Sequence, residues 1–82
     1  MTVMLVDDIQ PPQHHIKTLG FFPSIYSPHY KLVNANLVAF CHQHNMRCIP
    51  WTVNDQNDAM RLINLGIDGI ISDYPEMIIN ML

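Results

Sequence analysis

One tryptophan, two cysteines and a few histidines and aspartates are the side chains of this sequence able to do chemistry. Trp51 lies in the run Ile49-Pro50-Trp51-Thr52-Val53-Asn54-Asp55. If Ile49, Trp51 and Val53 share one face of a strand, Cys48, Pro50 and Thr52 occupy the other. Trp51 then stands near the carboxyl end, where parallel β-α sheets bind ligands, and could form an apolar wall for a small substrate. A core aromatic fits the same spacing, and the residues alone leave both readings open. Cys41, His42, His44 and Cys48 carry metal-ligand chemistry. Their spacing matches no zinc pattern, and His42 points away from the helical stripe shared by Cys41 and His44, so no metal site is expected. The two cysteines read instead as reduced, buried thiols, one on a helix and one on the next strand.

His29 and Tyr30 follow the Ser27-Pro28 break at the end of a strand, on the face where catalytic groups of a barrel gather. A lone histidine also packs in loops. Asp55 and Asp73 each follow a strand and precede a helix, which suits N-capping; an acid/base pair would require their side chains to converge. The adjacent His14 and His15 diverge on a helix and are expected to be solvated. Neither a glycine-rich phosphate loop nor a Gly-x-Ser-x-Gly elbow occurs, so nucleotide binding and α/β-hydrolase chemistry gain no support. No catalytic residue is assigned.

The elements that must position these groups alternate. Thr2 to Val6 reads as a strand, followed by Asp7-Asp8 and a Gln-Pro-Pro loop that bars helix. A short helix over His14–Leu19 stops at Gly20, and a strand over Phe21–Tyr26 is broken by Ser27-Pro28. Asn34 caps a helix to His44 whose stripe is Leu37, Phe40, Cys41 and His44, and Asn45 ends it. Arg47 to Val53 is the next strand, with Pro50 at odds with a central position unless a bulge or an edge accommodates it. Asn54 or Asp55 caps a second helix with the stripe Ala59, Leu62, Ile63 and Gly66. Gly69 to Ser72 forms the last strand, and Asp73 or Tyr74 caps a terminal helix starting at Pro75. The result is α/β: about four parallel strands with intervening helices, half of the eight needed to close a (β/α)8 TIM barrel, in one partial domain over residues 1–82.

Composition agrees with an incomplete shell. The 82 residues are 49% hydrophobic and only 13% charged, against about 25% charged in typical domains. A parallel sheet needs cover on both faces, so apolar surface is expected to meet something else, with self-association through open sheet edges as one outcome. Net charge is −3, and the four Lys and Arg are scattered, which argues against nucleic acid. The apolar runs are too short to span a bilayer. The N-terminus lacks the marks of a signal peptide, so the compartment stays open, with the cytoplasm as the default.

Four stretches in order resemble the C-terminal part of the glycerophosphodiester phosphodiesterase family. They are Ser27-Pro28-His29-Tyr30, Leu37-Val38, Ile49-Pro50-Trp51-Thr52-Val53-Asn54, and Gly66-Ile67-Asp68-Gly69-Ile70-Ile71-Ser72-Asp73-Tyr74-Pro75. The likeness runs from about Gly20 onward, with Met1 to Asp8 as a preceding strand; Ser72 stands where the family more often has threonine. The resemblance implies a (β/α)8 barrel that hydrolyses glycerophosphodiesters to glycerol 3-phosphate and an alcohol, usually with a divalent cation, Ca²⁺ or Mg²⁺. It places the acid and base histidines, the phosphate-binding arginine and the metal carboxylates around His-Arg-Gly and Glu-x-Asp motifs, which are absent from this sequence. Of the family's substrate pocket, only the tryptophan carries over, onto Trp51, flanking the glycerol or alcohol part. The resemblance therefore implies an enzyme family but an incomplete, inactive chain. Two rivals remain: a small autonomous α/β binding module without catalysis, and an enzyme of another barrel family using His29, Asp55 and Asp73.

Overall fold

A computed structural model describes residues 3–7 and 12–81. The expected strand residue Thr2 and the loop residues Asp8, Gln10 and Pro11 lie outside these. The element order is β1 (Val3–Val6), α1 (Pro12–Leu19), β2 (Ile25–Pro28), a 3-10 turn (Tyr30–Leu32), α2 (Ala35–Gln43), β3 (Arg47–Cys48), α3 (Gln56–Asn64) and α4 (Pro75–Met81). The three strands form one parallel sheet in the order β1-β2-β3, with Val3 beside Ile25 and Ile25 beside Arg47.

Local chemistry explains most boundaries. Helix α1 starts at Pro12, earlier than the expected His14, because the first helical position loses nothing when the N–H is missing. Gly20 and Gly66 adopt φ of +87° and +88°, and Asn45 a φ of 59°, the left-handed stops anticipated from sequence. The Asn34 side chain accepts from the Leu37 amide at 2.8 Å at the start of α2. Asp55 caps α3, accepting from the amides of Asn57 at 2.8 Å and Asp58 at 3.2 Å.

Several expectations change. Strand β2 begins at Ile25 rather than Phe21 and runs through Ser27-Pro28, the dipeptide read as its break; Pro28 is tolerated as the terminal residue of the ladder. The buried stripe of α2 is Leu37, Val38 and Cys41. Phe40 is half-buried, and His44 is exposed and stacked on Phe22 with ring centroids 4.5 Å apart. His15 is half-buried, its ring 6.4 Å from that of Tyr26, rather than solvated.

A further change concerns the fourth strand. The pairing of β3 with β2 continues beyond Cys48: the amides of Arg47, Ile49 and Trp51 donate to the carbonyls of Ser24, Tyr26 and Pro28. The carbonyls of Cys48 and Pro50 face the other way, toward residues 68–71. There the Asp68 and Ile71 amides donate to the Cys48 and Pro50 carbonyls, and Val53 donates to the Ile71 carbonyl. Three steps along the last segment match two along β3, which is a bulge. Pro50 is its cause, having no N–H to offer the ladder. Residues 69–72 thus form a bulged, hydrogen-bonded partner of β3 instead of a regular strand.

The core lies between the sheet and its helices. Val6, Tyr26, Cys48 and Val53 pack with Ile16 of α1, Leu37, Val38 and Cys41 of α2, and Ala59 and Leu62 of α3. Both cysteines are free and fully buried. Contact with Cys41, then burial, pushes the Cys48 thiol far up from its ordinary pKa, with the Asp68 carboxylate adding to the shift. On the opposite face the β1 edge is open, whereas Ser27 of β2 is fully buried. Val3 and Leu5 alternate with Met4 and Val6, yet are 54% and 70% exposed.

Candidate functional site

The carboxyl ends of β2 and β3 bring together His29, Tyr30 and Trp51. An isolated parallel bridge pairs His29 with Trp51, and the Tyr30 amide donates to the Trp51 carbonyl at 2.8 Å. The indole is fixed in turn: its Nε1 donates to the Ser27 carbonyl at 2.8 Å. Ser27 is fully buried, and its hydroxyl donates to the Ile49 carbonyl at 2.6 Å. The edge of the His29 ring meets the indole at 5.3 Å and 77°, and its face stacks on Tyr30 at 4.7 Å. His29 Nδ1 accepts from the Lys31 amide at 3.2 Å, which leaves the proton of the neutral ring on Nε2. Arg61 of α3 steadies this turn from behind, donating to the carbonyls of Val33 and Tyr30, both at 3.1 Å. Trp51 is half-buried, with its polar end bonded and part of its surface accessible, as a substrate wall requires.

The carboxylates stand elsewhere. Asp55 is bound to the first amides of α3. Asp73 does not cap α4; its Oδ2 accepts from Asn54 Nδ2 at 3.0 Å. His29, Asp55 and Asp73 are thus each engaged with different partners, and no hydrogen bond among the described residues joins them into a catalytic group. Among the described residues, no three His, Cys, Asp or Glu side chains gather where they could hold a metal ion.

Two functional side chains escaped the sequence reading. Asn54, one of two candidate caps for α3, instead links two loops: its Oδ1 accepts from the Asp73 amide at 3.0 Å and from the Ser72 hydroxyl at 3.2 Å. Ser72 also accepts from the Tyr74 amide, so its hydroxyl does work a threonine could equally perform. Asp68, at the opposite end of the segment, accepts from the Cys48 amide and lies against His42 Nε2, both at 2.8 Å. The signal was present as the fixed order of Asn54, Asp68 and Asp73, but their pairing depends on the bulge.

Residues 3–77 match the glycerophosphoryl diester phosphodiesterase family. A glycerophosphodiester phosphodiesterase of Caldanaerobacter subterraneus is 41% identical over 54 residues, 66% of this chain and 22% of that protein. One from Bacillus altitudinis is 29% identical over 93% of this chain and 31% of its own length. Among solved structures, a glycerophosphodiester phosphodiesterase from Parabacteroides distasonis superposes with a TM-score of 0.75 at 26% identity, over 94% of this chain and 32% of that one. A phosphodiesterase from Oleispira antarctica, solved with sn-glycerol-3-phosphate, shares the fold with a TM-score of 0.77 at 24% identity, over 95% of this chain and 31% of that one. The chain thus spans less than a third of the length of these relatives. An α/β partial barrel with an indole pinned at the carboxyl end of its third strand, matched over nearly its whole length, belongs to the glycerophosphoryl diester phosphodiesterase family.

Proposed function

We propose that this chain forms the substrate-flanking part of a glycerophosphodiester phosphodiesterase, which hydrolyses glycerophosphodiesters to glycerol 3-phosphate and an alcohol. The observation that carries this reading is the placement of Trp51, half-buried beside His29 with its Nε1 bonded to the Ser27 carbonyl. Its indole flanks the glycerol or alcohol part of the substrate, excluding water from one side. The relatives' names support the substrate class.

The reaction needs charge stabilisation at phosphorus and an activated nucleophile. Among the described residues, none gather to fit the divalent cation that the family usually employs. Asp55 is committed to helix amides, Asp73 to Asn54 and Asp68 to the Cys48 amide. The cation and the acid/base histidines belong to the other half of the barrel, and the 82-residue chain alone does not turn over substrate. An assay with glycerophosphocholine and Ca²⁺ or Mg²⁺ tests this, with no turnover expected; turnover abolished by Trp51→Ala would overturn it. The exposed Val3 and Leu5 mark the face that the other half covers. Without that cover the chain self-associates, and a clean monomer on size-exclusion chromatography would speak against this.

A further inference from the structure

We infer that Asn54 is a positioning residue for Trp51, closing the end of β3 where Pro50 has broken the ladder; this deepens the proposed function and rests on its reading of Trp51. On the β2 side, the Trp51 backbone is held by bonds at both its amide and its carbonyl. On the other side the regular ladder fails, because Pro50 donates nothing and the register slips by one residue. Past the bulge, the Val53–Ile71 bond and the Asn54 side chain restore the connection.

Asn54 does so by imitating a backbone unit. Its carbonyl oxygen accepts from the Asp73 amide and the Ser72 hydroxyl, while its amide nitrogen donates to the Asp73 carboxylate. A primary amide is suited to this reciprocal pairing because it carries both donor and acceptor. Aspartate has the same shape but only acceptors when ionised, and it would set a second negative charge against Asp73. Among the described residues, no cationic side chain lines the groove to compensate that charge. Tyr74 and Glu76 border the same groove as Asn54 and Asp73, Asp55 is the next residue along the chain, and no Lys or Arg is among the groove residues described.

Because Trp51 is the only tryptophan, its fluorescence in the 82-residue chain reads its position without any need for turnover. Asn54→Asp at neutral pH should red-shift the emission and make the indole more accessible to acrylamide. Both changes should reverse as pH falls through the carboxylate range, about 4, where one of the facing groups takes a proton. The double variant Asn54→Asp with Asp73→Asn exchanges donor and acceptor. It should return the parent emission and quenching at neutral pH and lose the pH dependence of the single variant. Asn54→Asp with parent-like emission and quenching at neutral pH would overturn the inference. So would a double variant as displaced as the single one, or one that fails to fold by circular dichroism. If Asn54→Asp itself unfolds, rescue by the double variant still supports the pairing. Failure of these results leaves the substrate role of Trp51 untouched, and turnover by the chain leaves the positioning role untouched.

Discussion

The two ends of the contact between β3 and residues 68–73 solve one problem with different side chains. At the amino end, the Asp68 carboxylate accepts from the Cys48 amide and meets His42. At the carboxyl end, the Asn54 amide pairs with the backbone and side chain of Asp73. Pro50 lies between them, so neither end can rely on an unbroken ladder. The charged acceptor is used at the end away from Trp51, where it binds a fully buried residue's N–H. The neutral, two-way group is used beside Trp51, where it leaves no free charge of its own. Asp55, Asp68 and Asp73 serve as structural acceptors, and the site itself is aromatic.

Three variants test that contrast. The largest effect is expected for Asp68→Ala, which leaves the Cys48 N–H buried without a partner. The cost should be about 1–3 kcal/mol, lowering Tm by roughly 4–8 °C per kcal/mol in a domain of this size. Thermal melts measure it, and an unchanged Tm would break the comparison at this end. Asn54→Ala should cost less, about 0.5–1.5 kcal/mol, because Asn54 and Asp73 are exposed and water can replace the lost bonds. A loss larger than that of Asp68→Ala would reverse the ranking of the two ends. His42→Ala should cost least, about 0–1 kcal/mol, since its side chain is 45% exposed and its pairing with Asp68 is screened. If denaturant titration gave His42→Ala the same loss as Asp68→Ala, the carboxylate would be serving the imidazole rather than the backbone amide.

A fourth measurement sharpens the view of the core shared by both ends. Cys41 and Cys48 are fully buried, and the Cys48 thiol is held protonated by its contact with Cys41 and by burial. Thiolate is the reactive form. Alkylation at neutral pH should therefore be slow for the folded chain and become fast only in denaturant. Rapid labelling of Cys48 without denaturant would show that α2 does not stay packed on β3.

Helix ends were legible in the sequence because they are decided within a few residues. Asn34 and Asp55 cap, and Gly20, Asn45 and Gly66 stop, by side-chain reach and by φ preferences that neighbours barely alter. The order of β and α units was legible for a similar reason, and with it the family. The faces of the elements were less so. The stripe of α2 rotates from Phe40 and His44 toward Val38: His44 stacks on exposed Phe22, and Phe40 is only half-buried beside His44. Strand β2 extends through Pro28 because β1 pairs Val6 with Pro28 and, beyond β3, the Trp51 amide donates to the Pro28 carbonyl, contacts between residues far apart in sequence.

The sequence by itself determined where the chain turns, which segments alternate, that Trp51 falls at the carboxyl end of a strand, and that no His-Arg-Gly or Glu-x-Asp motif accompanies it. The tertiary structure alone decided what Pro50 does to the ladder, which of Asn54 and Asp55 caps α3, and that Asp68 and Asn54 bind across the resulting bulge. The physical reason is range. Caps and stops are fixed by torsions and bonds within one turn, whereas a bulge exists only once two strands meet, and the side chains that repair it are chosen by the gap it leaves.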